Sequence, residues 1–355
     1  MNKVVLLAPT PPPAGGIASW TVRMMNAELK NGWQVAVVDE KLIGKRQIFG
    51  DKTRRNLLEE TKRCFQIWSN LLKELKDPNA KVVHSCIPSM PLAMVREYIC
   101  ACITKSKKRK FVIHFRCTVP NTTKGKFGHF MLKKLCDKSD MIMTLNTQTD
   151  VFLKNITKTP TRLIPNFVSA DELSERHEIR EKVETVLYVG GVIESKGAMD
   201  MLEVAKHFPD IHFRLVGKSA TNVEERAKEL ELENVEFAGT MPHDQVTLEM
   251  QKADVFMFLT WFYGEGFSNS LAEAMAAGVP CLVTDWAANK DMIEDKGGFC
   301  VPIKSPELAA EALKKMLSPA VRAAQSAFNI EKIRTAYADE TVLAQYVDCY
   351  EELIK

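Results

Sequence analysis

The chain has 355 residues, 46% of them apolar, and a formal net charge of +3, which is more chain than one ordinary core absorbs and suits two domains of roughly 150 to 200 residues each. No run reaches the ~18 apolar residues of a membrane span, and the N-terminus, where Lys3–Ala8 gives way to Pro9, Pro11, Pro12 and Pro13, lacks a signal-peptide pattern. Nine cysteines without a Cys-x-x-Cys pair argue against a disulfide framework and a structural zinc site, and predict reduced thiols in a cytoplasmic protein.

In chain order, short β-branched or apolar runs at Lys3–Ala8, Gln34–Asp39, Lys81–Cys86, Lys110–Phe115 and Met141–Leu145 alternate with helical patterns, which predicts βαβ units and a parallel sheet. From Glu184 the alternation restarts with Thr185–Val189, Ile211–Leu215, Val235–Phe237, Val255–Leu259 and Cys281–Thr284, a second Rossmann-like sheet. Pro165–Glu181, polar and without sustained apolar periodicity, reads as the linker. Glu340–Lys355 has a helical pattern and is expected to cross back to the first domain. The predicted fold class is α/β: Rossmann-like domains at 1–165 and 166–338, a C-terminal helix at 339–355, and a ligand crevice between the sheets.

The small net charge conceals a large asymmetry. Residues 1–165 hold 29 Lys and Arg against 12 Asp and Glu, a net +17, and the remainder carries −14. A basic half favours an anionic membrane surface, a lipid phosphate or another polyanion, or is a solvated face. Two helical patterns lie there. In Lys52–Lys76, Leu57, Leu58, Phe65, Trp68, Leu71, Leu72 and Leu75 are set against Lys52, Arg54, Arg55, Lys62 and Arg63; in Lys124–Lys134, Phe127, Phe130 and Met131 interleave with Lys126, Lys133 and Lys134. Such helices lie in a membrane interface or cover their own sheet.

The segment richest in chemistry is Trp261–Gly278, between two predicted strands. Its loop Gly264–Ser268 ends at a helix N-terminus, where free N–H groups and the helix dipole favour a phosphate. Glu265 precedes that terminus and Glu273 lies about one turn inside it. Carboxylates accept charge-assisted bonds from vicinal hydroxyls, so one acid can hold a ribose and the other a transferred hexose. Ser270-Leu-Ala-Glu273 also matches a capping box, in which Glu273 merely closes the helix start.

Glu265-Gly-Phe-Ser-Asn-Ser-Leu-Ala-Glu273, with seven residues between its acids, resembles the nucleotide-binding signature of the GT-B glycosyltransferases of family GT4 (glycosyltransferase group 1). The resemblance covers most of the chain, more strongly its second half. It implies a GT-B fold, two Rossmann-like domains facing each other across a cleft, with Glu273 on the ribose and Glu265 facing the donor sugar. The amides of Gly266, Phe267 and Ser268, with Asn269 and Ser270 beside them, then contact sugar hydroxyls or phosphate. Gly190-Gly191-Val-Ile-Glu-Ser-Lys196 is a glycine turn ending on a lysine that can neutralise a leaving diphosphate as a point charge. Where the family often has an arginine this chain has Gly191, which shifts phosphate charge onto Lys196, helped by Lys218 or Arg116. Gly15-Gly16 opens a helix after the first strand; in the family this pair lets phosphate approach the N-terminal domain, Gly16 being the matching position. His114 ends the strand Lys110–Phe115 and matches the family's active-site histidine, while Arg116 is a candidate phosphate or acceptor contact on its fixed charge alone.

No Asp-x-Asp sequence occurs, so no metal and no cofactor is expected on the diphosphate. The resemblance implies retention of anomeric configuration. The expected partners are a nucleotide-sugar donor (UDP or GDP), a glycan or lipid-linked acceptor and the inner face of an anionic membrane, with no nucleic acid. Alternatives are a nucleotide-sugar 2-epimerase of the same fold and a non-catalytic binding subunit.

Overall fold

A parallel strand covered on both faces has no solvent side, so it reads as an unbroken apolar run rather than an alternating one. The structure, a computed structural model, describes residues 1–12, 15–41 and 57–355; Pro13, Ala14, Lys52, Arg54, Arg55 and the side chain of Leu57 lie outside the described residues. The chain divides into two units, Met1–Asn166 with Val342–Lys355, and Phe167–Thr341.

The first unit contains β1 (Lys3–Ala8), β2 (Gln34–Asp39), β3 (Ala80–Ile87), β4 (Lys110–Phe115), β5 (Met141–Thr144) and β6 (Thr161–Leu163). They form one parallel sheet in the order β2-β1-β3-β4-β5-β6. Strand residues alternate between faces, and here the two faces differ in kind. Val83 and Ile87 of β3 and Phe111, Ile113 and Phe115 of β4 enter an apolar cluster with Leu71, Leu132 and Leu135 of the covering helices. The intervening His84, Cys86 and His114 occupy the other face, against Trp20 of the helix Gly16–Asn26 and Tyr346 and Tyr350 of the helix Asp339–Ile354.

The second unit contains β7 (Thr185–Val189), β8 (His212–Val216), β9 (Val235–Gly239), β10 (Val255–Phe258), β11 (Cys281–Thr284) and β12 (Gly298–Val301), all parallel, in the order β12-β11-β10-β7-β8-β9. The order of connection reverses between β7 and β10, so the chain leaves their carboxyl ends in opposite directions and opens a crevice there. The loops after these two strands carry the motifs read from the sequence.

Two strands went unread. Thr161–Leu163 is a three-residue edge strand, half-buried or exposed, and has no apolar run to betray it. Gly298–Val301 begins with a glycine that reads as a turn, yet a Cβ there would lie 1.7 Å from the Cys281 carbonyl oxygen; glycine permits the close approach of β12 to β11. The segment read as a linker is also pinned: Phe167 and Val168 are buried, and Val168 pairs with the chain at Tyr337 and Asp339 through 2.9 and 3.0 Å backbone bonds. Its polar composition hid those two residues.

Both amphipathic helices split their apolar residues between buried and exposed positions. On Leu57–Glu74, Ile67 and Leu71 are buried while Leu58, Phe65 and Leu72 are exposed. On Gly125–Lys138, Met131 is buried and Phe127 and Phe130 are each 55% exposed. Among the described residues no helix is long and apolar enough to cross a membrane.

Candidate functional site

At the reversal point of the second sheet, two loops are stitched together backbone to backbone. Trp261 donates its N–H to the Ser195 carbonyl at 2.9 Å. Gly197, in the left-handed region at φ 83°, lies so near the other loop that a Cβ would stand 2.2 Å from the Leu259 carbonyl oxygen. That approach sets Lys196 opposite Glu265, and the two side chains form an ion pair. Both are largely withdrawn from water, with side-chain exposures of 22% and 10%, and the ammonium also stands 5.0 Å from the Phe262 ring centroid. A cation and an anion held this way can exchange their mutual contact for a phosphate and a hydroxyl respectively.

The helix Asn269–Ala276 begins beside this pair. Its cap is Ser268, whose hydroxyl accepts from the Leu271 N–H at 3.2 Å. The capping-box alternative needs Ser270 as the cap; Ser270 lies inside the helix, and the residue at the box's glutamate position is Leu271. Glu273 is thus no capping residue. Its carboxylate gathers with Glu172 and His243, the three ligand atoms lying within 4.8 Å of one another, and His243 Nε2 stands 3.2 Å from Glu172. Phe267 turns its ring inward against Tyr337, edge-on at 5.4 Å, so its backbone rather than its side chain is left to meet a ligand. Gly190 has a φ of 148°, and its carbonyl oxygen would lie 1.8 Å from a Cβ at Gly217. A Cβ at Gly191 would meet open space; the arginine common at that position in the family would find room, and its absence is not a steric demand. Lys218 is exposed on the neighbouring loop, where its carbonyl accepts from Val192 N–H at 3.0 Å.

The remaining candidates belong to the first unit. Gly15 precedes the helix Gly16–Asn26 with extended backbone and no atom within 4 Å of a Cβ, so nothing local requires glycine at that position. His114 and Arg116 end β4 as read, but both are buried in their own unit. Arg116 stacks on Trp20 at 4.6 Å and donates to the Asn166 side chain; among the described residues no carboxylate lies within ion-pair distance of it. His114 Nδ1 stands 3.1 Å from His84 Nε2, and His84 Nδ1 stands 2.6 Å from the Tyr350 hydroxyl. Burial, aided by the Arg116 charge, lowers the His84 pKa to about 3 and holds His114 well below the usual imidazole value.

Among the described residues, two groups offer metal-ligand atoms at short range. His84, Cys86 and His114 are a poor cation site: the Arg116 guanidinium adjoins them, and burial raises the Cys86 thiol pKa to about 12. Glu172, His243 and Glu273 are chemically better suited to a divalent ion. An ion there would occupy the carboxylate that the sequence reading assigns to a ribose, so the two uses compete.

Sequence reading missed His84, Tyr346, Tyr350, Trp20, Glu172 and His243. One signal was available: His84 interrupts the apolar run of β3, and a polar residue inside such a run needs a partner.

Comparison with known proteins places this geometry in context. Residues 169–330 match the family model described as Glycosyl transferases group 1. Phosphatidyl-myo-inositol mannosyltransferase of Mycobacterium leprae is 29% identical over 199 residues, 53% of this chain and 52% of that protein; the chain spans about half the length of this curated relative. Sucrose-phosphate synthase of Thermosynechococcus elongatus has the same fold, with a TM-score of 0.80 at 16% identity over 100% of this chain and 99% of that one. HepE of Anabaena in complex with UDP superposes with a TM-score of 0.75 at 14% identity, covering 99% and 100%.

Proposed function

We propose that this chain, whose residues 169–330 match the family model described as Glycosyl transferases group 1, is a retaining, metal-independent glycosyltransferase that moves a hexose-type sugar from a UDP- or GDP-sugar. The observation that carries the reading is the Lys196–Glu265 pair at the reversal point of the second sheet, beside the Ser268-capped helix. In this reading the diphosphate sits on the helix start and takes Lys196, Glu265 turns to the hydroxyls of the donor sugar, and Glu273 holds the ribose. The amides of Gly266, Phe267 and Ser268 line the sugar and phosphate, and Gly190 lets the nucleotide approach the backbone. The bond from the sugar's anomeric carbon to the phosphate oxygen breaks. The acceptor oxygen bonds to that carbon on the same face, and its proton passes to the leaving phosphate.

The acceptor is proposed to be an anionic, lipid-linked molecule reached at the inner surface of a membrane, as part of glycolipid or surface-glycan synthesis. Three observations support it. Residues 1–165 carry a net +17. Phe127 and Phe130 stand exposed on a helix that also bears Lys126, Lys133 and Lys134. The mycobacterial relative is by name a transferase acting on phosphatidyl-myo-inositol.

A thermal-shift screen of UDP- and GDP-sugars, with and without EDTA, tests the donor half: a ligand at 100 times its Kd stabilises the fold by about 2.7 kcal/mol. Stabilisation by one nucleotide class that survives EDTA is expected. No shift with any nucleotide contradicts the donor site, and a shift abolished by EDTA contradicts metal independence. Flotation with anionic vesicles tests the acceptor half; binding at low salt that weakens as salt rises is expected, and no binding at low salt overturns it.

A further inference from the structure

His84 and His114 are neighbours on β3 and β4, fully buried, and no carboxylate lies among the contacts that surround them. Both are neutral near pH 7, so each ring carries one N–H and one bare nitrogen. Which nitrogen holds the proton follows from the far end of the cluster. The Tyr350 hydroxyl is fully buried, and among the described residues its hydrogen-bond partner is His84 Nδ1, at 2.6 Å. A buried phenol needs an acceptor for its proton, and 2.6 Å suits an O–H donor better than an N–H donor.

Tyr350 therefore donates to His84 Nδ1. The His84 proton is left on Nε2, which donates to His114 Nδ1 at 3.1 Å, and the His114 proton is left on Nε2. Arg116 Nη1 lies 3.5 and 3.4 Å from the two His114 nitrogens, too long and too even to select between them. The faces of both histidine rings are held by Trp20 and Tyr346, with ring centroids 5.4 to 6.0 Å away.

We propose that Tyr350 and His84 are positioning residues, a directed hydrogen-bond chain that holds His114 in its Nε2–H tautomer and fixes its ring. The inference rests on the reading of His114 as an active-site residue and adds two residues to it. It makes the last helix a working part of the first unit's chemistry, since Tyr350 and His84 are 266 positions apart in the chain. An Nε2–H makes that edge of the ring a hydrogen-bond donor; the other tautomer would make it an acceptor.

The test is a long-range nitrogen–proton correlation spectrum of protein labelled with 15N-histidine at neutral pH, with His114→Asn used to identify the His114 signals. Wild type is expected to show His114 protonated on Nε2. Tyr350→Phe keeps the ring and removes the donated proton; the single-tautomer pattern at His114 should be lost while far-UV circular dichroism is unchanged. Turnover of UDP-glucose or GDP-mannose, whichever stabilises the wild type, should fall about 10- to 100-fold, by analogy with removal of the outer partner of a metal-ligating imidazole, with KM unchanged. His84→Gln offers an amide oxygen to Tyr350 and an amide N–H to His114, and should retain the Nε2–H pattern that His84→Leu loses; this pair carries the test if Tyr350→Phe does not fold. A wild-type His114 protonated on Nδ1, or an unchanged His114 signal in folded Tyr350→Phe or His84→Leu, overturns the proposal. A wild type with the expected tautomer that neither binds nor turns over any nucleotide sugar leaves the chain standing and sinks the glycosyltransferase reading instead.

Discussion

The two units place their candidate site residues by opposite means. In the second, Lys196 and Glu265 are paired with each other and largely withdrawn from water, and each sits on a loop that directly follows a central strand. In the first, His84, His114 and Tyr350 are neutral and fully buried, and they come from two strands and the last helix. Loops at a sheet's reversal point can carry a site in a contiguous stretch of chain, because the topology already brings their ends together. A site built on a sheet face must gather residues from every element that covers that face, and its signature is scattered.

Four perturbations separate these arrangements, in decreasing order of expected effect. Lys196→Ala should lower kcat by about 100- to 1000-fold, the loss typical of removing one preorganised group from a developing charge; a change under tenfold in a steady-state assay would take Lys196 out of the reaction. Gly197→Ala forces a Cβ against the Leu259 carbonyl at positive φ and should cost about 2 to 3 kcal/mol in urea unfolding, because the stitch between the loops is made of backbone. An unchanged midpoint would show the loops to be looser than this packing requires.

The third perturbation addresses the first unit. His84 has its folded pKa lowered to about 3, and that of His114 is also depressed, so the unfolded state binds protons that the folded state refuses. The stability these groups contribute is complete above the unfolded pKa of about 6.5 and is lost as pH falls from there toward 3. Each neutral buried imidazole should contribute a slope of up to about 1.4 kcal/mol per pH unit in that window. Urea midpoints followed by tryptophan fluorescence should therefore fall from pH 6.5 downward, and His84→Gln should flatten the fall; equal slopes in both proteins would contradict the burial of a neutral His84. The smallest effect is expected on nucleotide binding by Glu265→Gln. Releasing Lys196 from its partner should tighten calorimetric binding of UDP or GDP lacking a sugar by about 1 kcal/mol, roughly fivefold in Kd, while transfer is lost; weaker binding would mean that the pair assists the diphosphate rather than competing with it.

This contrast also accounts for what was legible in the sequence. Strands β1, β2, β4, β7 and β11 match their apolar runs residue for residue; in β1, β4 and β11 nearly every residue is buried, which leaves an unmixed signal. Strands β6 and β12 had no such signal, one being polar and exposed at an edge and the other opening on a glycine needed for close packing. In the second unit, the glutamates, the glycine turn and Lys196 were legible as candidates because each falls in a short stretch directly after a strand. The helix start was legible there too: the loop was read as ending at Ser268, which is the cap, and backbone geometry rules out the alternative capping box at Ser270. In the first unit, His114 was found through family resemblance, whereas His84, Tyr350 and Trp20 were not. Nothing local in a chain announces that a tyrosine on its last helix meets a histidine on its third strand.

The most direct test of the central claim is a crystal structure of the protein with the UDP- or GDP-sugar that stabilises it. The account predicts the diphosphate on the start of the helix Asn269–Ala276, with the Lys196 ammonium moved from Glu265 to a phosphate oxygen, Glu265 on hydroxyls of the sugar and Glu273 on the ribose. A nucleotide seated elsewhere, or one that leaves the Lys196–Glu265 pair intact and both glutamates turned away, would contradict it.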